Sequence, residues 1–436
     1  MEERKTDGKM IGSNFDFDHD GKLTSQDILM GMLLLVKTLL MGVVVGLIAG
    51  GIGGVFALTV SYATGLRLTN DWLIFLLPVA GVIIVFVYTK VFGDKEDKGT
   101  NLILSSLSED EPIPLRKAPE IFIATVLSHL TGASVGREGA ALQLGGAIGH
   151  NLGVLVKFDD KDKKVMTMCG MSAVFSALFG TPMAAAFFSM EVAAVGMFNY
   201  SALLPCVVAS IVASNVAAVM GVEADAFAVH VIPEFTIQSA LLAGLLAILC
   251  AFISILLCIV LHQSAHISRK LFPNPYLRVI VGGLVLIGLT YLVGNRYYNG
   301  AGMNVIEMAF EGEAPAEAFI LKMLFTAISL GVGFKGGEIV PAFYIGATFG
   351  SLFANILGLS PAMGAAIGMG ALFCGVTNCP IASLLICFEL FGFGGMPYFL
   401  IAIALSYSFS GYFSLYSSQK IVYSKIQNKY LNRKTS

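Results

Sequence analysis

Residues 170–191 read GMSAVFSALFGTPMAAAFFSME, and residues 368–389 read GMGALFCGVTNCPIASLLICFE. Laid over each other, Gly170-Met171-x-Ala173-x-Phe175 returns as Gly368-Met369-x-Ala371-x-Phe373. Pro182-x-Ala184 returns as Pro380-x-Ala382 and Glu191 as Glu389, every pair 198 residues apart. Nearby, Gly136-x-Glu138 matches Gly336-x-Glu338 and Gly146-Ala147 matches Gly346-Ala347, at an offset of 200. Single identities are common in Gly/Ala-rich sequence, whereas a whole pattern at one offset is not. The chain is read as a duplication, and paired interrupted segments in two halves point to a central transport site. Two duplicated bundles without a pathway are the plainer alternative.

The composition names the solvent. Of 436 residues 56% are hydrophobic and 13% charged, with mean hydropathy +0.79; a soluble chain carries about twice that charged fraction. The 48 glycines fit close helix approach in a membrane. A net charge of −2 leaves no nucleic-acid footprint. The seven cysteines lie in apolar stretches without metal-ligand spacing and read as small buried hydrophobes. The first thirty residues are polar and acidic with no apolar h-region, so no cleavable signal peptide is expected.

Long apolar runs at 28–60, 72–92, 200–220, 236–262, 277–294 and 396–412 are each long enough for a membrane span of about twenty residues. Shorter runs broken by Gly and Pro lie between them, at 119–135, 138–157, 165–180, 182–198, 319–333, 339–357, 361–376 and 380–390. Helices that stop inside a membrane are tolerated only where they line a cavity. The tail 418–436 carries five bases and no acid, and 262–278 is also basic, so both are placed in the cytoplasm. The N-terminus is placed there too, and no appended soluble domain is expected. The organisation is a segment 1–27, a first membrane repeat 28–220, a second 236–417, and the tail 418–436.

The chemistry centres on Gly136-Arg137-Glu138-Gly139. An acid within a span is costly unless it faces a cavity or a partner. Glycines let backbone amides approach a bound ion, and a helix starting here aims its positive dipole end at an anion. Glu138 can occupy an anion's place while ionised and vacate it when protonated, acting as gate and proton carrier. The alternative is a Glu capping its own helix beside Arg137.

The run GREGAALQLGGAIG (136–149) resembles the gating-glutamate motif of the CLC family of anion channels and anion/proton antiporters. Gly333-Phe334-Lys335-Gly336-Gly337-Glu338-Ile339-Val340-Pro341 resembles that family's anion loop, its Gly-Gly-Glu form closer to the fluoride-transporting CLC-F branch than to the Gly-Ile-Phe-Ala-Pro of chloride members. Ser414-Leu415-Tyr416-Ser417-Ser418-Gln419 is similar to the segment bearing the anion-coordinating tyrosine. The likeness spans residues 30 to 425. It implies an all-α polytopic fold of two inverted-topology repeats with broken, re-entrant helices, and a homodimer in a bacterial plasma membrane.

The resemblance implies an anion site of Gly99, Thr100, Asn101, Gly136, Arg137, Gly139, Gly337, Glu338, Ile339, Val340 and Tyr416 around Glu138. It implies exchange of fluoride or chloride for protons across the lipid bilayer, fluoride placed first, with no enzymatic activity and no required cofactor. A proton-coupled chloride antiporter or a passive, glutamate-gated chloride channel is the alternative. Chloride exchangers carry an internal acid where this chain has Val192, and fluoride members also lack it. Thr100 keeps a hydroxyl as chloride members do, Asn101-Leu102 looks like the fluoride type, and Val340 stands where fluoride members usually have Thr. Glu191 and Glu389 are expected to close structural hydrogen bonds near helix ends. Glu338 is expected to cap its helix, with a second proton site as its other role.

Separately, Asp16-x-Asp18-x-Asp20-Gly21-Lys22-Leu23-x-x-x-Asp27 follows the spacing of an EF-hand loop. Calcium bound by Asp16, Asp18, Asp20, Asp27 and the Lys22 carbonyl is one reading; a solvated acidic stretch capping the next helix is the other.

Overall fold

The computed structural model of the protein describes residues 25–94, 97–229 and 232–435, with side chains from Ile28 onward. The calcium-loop residues Asp16, Asp18, Asp20 and Lys22 lie outside the described residues. Asp27 falls in the first turn of the first helix, its side chain also outside them.

Apolar runs with few interior breakers become helices: α1 (Ser25–Thr69), α2 (Leu77–Phe86), α3 (Thr100–Glu109), α4 (Lys117–Thr131), α5 (Glu138–Leu155), α6 (Asp160–Phe179), α7 (Pro182–Glu191) and α8 (Leu203–Val219) form the first half. The second holds α9 (Ile237–Leu271), α10 (Pro275–Val293), α11 (Met303–Glu311), α12 (Ala318–Val332), α13 (Ile339–Leu357), α14 (Pro361–Thr377), α15 (Pro380–Phe391) and α16 (Met396–Phe409). Among the described residues, six helical stretches are long and apolar enough to cross a membrane. The outward side chains of α1, such as Leu33, Leu40 and Leu47, are exposed and apolar, as lipid contact requires. This is an integral membrane protein. Residues 396–412, expected to hold a full span, give a helix of only 14 residues, while 339–357, expected as a broken run, gives one of 19.

Pro starts α7, α14 and α15, where its missing N–H costs nothing, and glycine in the left-handed region ends α4, α6 and α13. The halves are joined by reciprocal caps. The Glu191 carboxylate at the end of α7 accepts from the N–H groups of Ile381 (3.2 Å) and Ala382 (2.9 Å) at the start of α15. Glu389 in α15 accepts from Met183 and Ala184 at the start of α7, both at 2.8 Å. Each helix end thus meets the other's beginning, so α7 and α15 run antiparallel about a pseudo-twofold axis. The structural role expected of the two glutamates holds.

The offset of 200 does not hold as a register. Helix α5 starts at Glu138 and α13 at Ile339, Gly136 pairs with Gly337, and the glycines packed on Gly170 and Gly368 are Gly145 and Gly346. All three relations differ by 201. The offset falls to 198 inside the next helix, because α6 has 20 residues and α14 has 17. Glu338 therefore corresponds to Arg137, and Ile339 to Glu138.

The fold is nearly all-α, with one exception. The basic tail, expected as a plain cytoplasmic extension, folds back as a hairpin of β2 (Lys420–Tyr423) and β3 (Tyr430–Lys434). Strand β2 also pairs in parallel with β1 (Ala194–Val195). Ile421 and Val422 are buried and Lys420, Arg433 and Lys434 stay outside the core, so the charges that suggested a cytoplasmic tail coexist with a paired strand.

Candidate anion-binding site

Three helix starts meet at one point. Gly136 and Gly337 exchange both backbone hydrogen bonds, each 2.7 Å, just before α5 and α13 begin. The approach leaves no room for side chains: a β-carbon on Gly337 would fall 2.9 Å from the Glu138 nitrogen. The third start is α3, preceded by Gly99 at φ 56°, a left-handed turn that suits glycine. Thr100 then reaches α5: its hydroxyl donates to the Gly139 carbonyl at 3.4 Å and accepts from Gln143 Nε2 at 3.3 Å. Free N–H groups at helix starts carry partial positive charge, so this junction favours an anion.

The side chains at the junction are buried and incompletely satisfied. Glu138 is fully buried. Its Oε2 accepts from the Arg137 N–H at 2.9 Å, while Oε1 has no hydrogen-bond partner among the described residues. Glu338 occupies the N-cap position of α13 but makes no side-chain capping bond. The capping role expected of it therefore fails. Its Oε2, also without a partner among the described residues, faces α5 so closely that a β-carbon on Gly139 would lie 2.9 Å from it. The Tyr416 phenol is buried, its hydroxyl likewise without a partner, within electrostatic reach of Glu338 and Glu138. Buried polar atoms in native interiors are normally paired, so these oxygens are groups that can meet a bound ion or water.

Other expected residues take supporting places. Ile339 and Val340 are buried in the first turn of α13, with Val340 against Gly136. The Arg137 guanidinium is shared: its Nη2 donates to the Leu178 carbonyl and to Asp225, both at 3.3 Å. Its part in the site is its backbone N–H and a 3.5 Å contact of Nε with Glu138 Oε1. Asn101 turns Oδ1 to the Ser418 N–H at 2.9 Å, holding the tyrosine loop rather than an ion with that atom. Ser418, Gln143 and Gln419 were not singled out from sequence; a buried Gln within the quoted run 136–149 was the available signal for Gln143.

A cavity of about 730 Å³ is lined by Asn101, Ser417 and Ser418, by Lys98, Arg269, Arg278 and Lys335, and by Asp94 and Asp97. Four bases against two acids make this mouth attractive to anions. Two of the bases, Arg269 and Arg278, come from 262–278, so the segment placed in the cytoplasm by charge faces the same mouth.

Fold and site define an integral membrane protein with an inverted repeat and an anion-receptive junction at its pseudo-symmetric centre. The family described as "Voltage gated chloride channel" matches residues 80–411, and the chain belongs to this CLC family of anion-transport proteins. It is 37% identical over 398 residues, 90% of this chain and 88% of the relative, to a protein of Pseudomonas syringae pv. tomato described as "Chloride/fluoride channel protein". It is 25% identical over 392 residues, 81% of this chain and 82% of the relative, to the "H(+)/Cl(-) exchange transporter ClcA" of Vibrio vulnificus. A crystal structure of a CLC-type fluoride/proton antiporter superposes with TM-score 0.85 at 32% identity, covering 92% of this chain and 100% of the other. A slow cyanobacterial Cl−/H+ antiporter superposes at 0.71 and 20% identity, covering 85% and 94%, a likeness of fold.

Proposed function

We propose that this protein exchanges fluoride for protons across the membrane, with Glu138 as gate and proton carrier. The observation that carries the reading is the set of three buried oxygens without a hydrogen-bond partner among the described residues, Glu138 Oε1, Glu338 Oε2 and Tyr416 Oη, around the joined starts of α5 and α13. An ionised Glu138 is favoured by the helix start and repelled by an anion beside it. Protonation removes both effects, so the side chain leaves and an anion takes the place. Proton and anion then use one position at different times, which couples their movements. Glu338 is the second protonatable group, reaching α5 from the opposite half, and Tyr416 supplies a hydroxyl donor.

Fluoride is placed ahead of chloride on three grounds. Two proteins alike over nearly the whole chain carry fluoride in their descriptions. The Gly337-Glu338 pair puts a carboxyl where chloride members have none. The Thr100 hydroxyl, the feature that favoured chloride, is directed at the Gly139 carbonyl. We further propose a homodimer with one pathway per subunit, both termini cytoplasmic, in a bacterial plasma membrane. Initial efflux rates from proteoliposomes at equal fluoride and chloride gradients test the ion: fluoride should move faster, and faster chloride movement overturns the ordering. A proton gradient driving fluoride uphill separates exchange from a passive channel.

A further inference from the structure

We propose that the C-terminal hairpin is a working part of the anion site, fixing the place of Tyr416 with Thr435 as the positioning residue. This rests on the reading of Tyr416 as a donor to the anion. The phenol has no hydrogen-bond partner among the described residues, so packing and backbone alone determine where its hydroxyl points. That backbone is held at both ends. The Tyr416 N–H donates to Ser414 Oγ at 3.1 Å. Its carbonyl accepts from the Gln419 N–H at 3.1 Å and from the Thr435 hydroxyl at 2.7 Å.

Thr435 lies 19 residues further along, and the hairpin returns it. Strand β2 leaves the site and β3 runs back beside it, bringing the Thr435 N–H to the Gln419 carbonyl at 3.0 Å. The base of the hairpin is anchored in the core. The buried Gln419 amide donates to the Val192 and Thr377 carbonyls at 2.8 and 2.7 Å and accepts from Asn378 Nδ2 at 2.8 Å. Its outer strand is tied to α3: Lys434 and Lys420 lie 3.1 and 3.6 Å from Glu109, the last residue of the helix that begins at Thr100. Arg433 sits over the Tyr412 ring at 4.5 Å. The hairpin therefore touches the loop bearing the tyrosine and the far end of the helix bearing Thr100.

Strand β3 is largely exposed and adds little to the core. So many specific bonds from a surface hairpin to one loop are better explained by geometry at Tyr416 than by global stability. A donor–acceptor distance change of a few tenths of an ångström already weakens a hydrogen bond.

The test measures initial fluoride efflux from proteoliposomes against internal fluoride concentration. Thr435→Val keeps the shape and removes the donor, and KM should rise about three- to tenfold while kcat stays within about twofold. Thr435→Ser should restore the wild-type KM. Tyr416→Phe should raise KM by at least as much, and adding Thr435→Val to Tyr416→Phe should raise it little further, since both act on one hydroxyl. A variant ending after Ser418 should behave like Tyr416→Phe; if it does not fold, the two Thr435 variants decide. An unchanged KM in Thr435→Val, with Tyr416→Phe impaired, overturns the positioning role alone. Wild-type transport by Tyr416→Phe overturns the reading of the tyrosine on which this role rests. Additive effects in the double variant also overturn the positioning role.

Discussion

The two helix starts at the centre of the molecule share a backbone and differ in their side chains. In the first half Arg137 stands at the N-cap and Glu138 at the first helical position; in the second, Glu338 stands at the N-cap and Ile339 follows. The paired Gly136 and Gly337 give both starts the same mutual hydrogen bonds. The helix-start N–H groups are kept in both halves, while the carboxylate falls one residue apart in the two. Glu138 folds over its own helix start; Glu338 reaches across to the other. The peripheral caps behave oppositely, since Glu191 and Glu389 are equivalent in sequence, geometry and partners. Pseudo-symmetry survives where the glutamates cap each other's helix starts and breaks at the joined starts of α5 and α13.

This comparison can be broken at several points. The largest effect is expected from Gly337→Ala, whose β-carbon would meet the Glu138 nitrogen at 2.9 Å. Overpacking of about 1–3 kcal/mol at the junction should cut fluoride efflux on the order of tenfold or more. Near-normal efflux would show that the close glycine contact is dispensable.

The peripheral pair should respond symmetrically. Glu191→Ala and Glu389→Ala each leave two helix-start N–H groups without their acceptor, at about 1.5–3 kcal/mol for each charged hydrogen bond lost. Thermal unfolding in detergent should show comparable falls in Tm for the two variants. A drop in only one would mean that the halves are not equivalent even at the periphery.

A smaller effect is expected at Thr100. Since its hydroxyl is turned to the Gly139 carbonyl, Thr100→Met should leave fluoride transport near wild type. Loss of transport would restore Thr100 as a direct ion donor.

The smallest effect concerns the tail. Lys434, first by hydrogen bonding and then by its charge, holds the Glu109 carboxyl below its ordinary value. A carboxyl whose pKa is lowered by its partner contributes stability above its unfolded pKa and loses it as pH falls through the folded value. Hydrogen exchange of the β3 amides should therefore be pH-independent near neutrality, after correction for intrinsic rates, and quicken only in the acid range below the ordinary carboxylate value. Loosening near neutral pH would mean that another group holds the hairpin.

Much of this was legible in the sequence. The repeated Gly-Met-x-Ala-x-Phe, the matching prolines and the two peripheral glutamates disclosed the duplication and the structural caps, because packed helices tolerate only small residues at fixed intervals. The Gly-Arg-Glu-Gly run marked the first of the joined helix starts, since an acid within an apolar stretch asks for a cavity or a partner. The register of the second helix start was obscured by short matches at offset 200, and only the glycine pairing and helix starts show 201. Side-chain direction was also hidden: nothing in the sequence says that Arg137 turns to Asp225 or that Asn101 holds Ser418. The hairpin escaped notice because four- and five-residue strands rich in Lys and Arg resemble a solvated tail.

The central claim is that Glu138 carries the proton from the place an anion must occupy. The direct measurement is proton uptake driven by an outward fluoride gradient in sealed vesicles, comparing wild type with Glu138→Gln. Glutamine keeps the size of the side chain but cannot ionise, so it imitates the protonated, neutral state permanently. Proton uptake should vanish in Glu138→Gln, whether fluoride movement persists passively or stalls. Undiminished coupled proton movement in that variant would contradict the account and return Glu138 to a capping role.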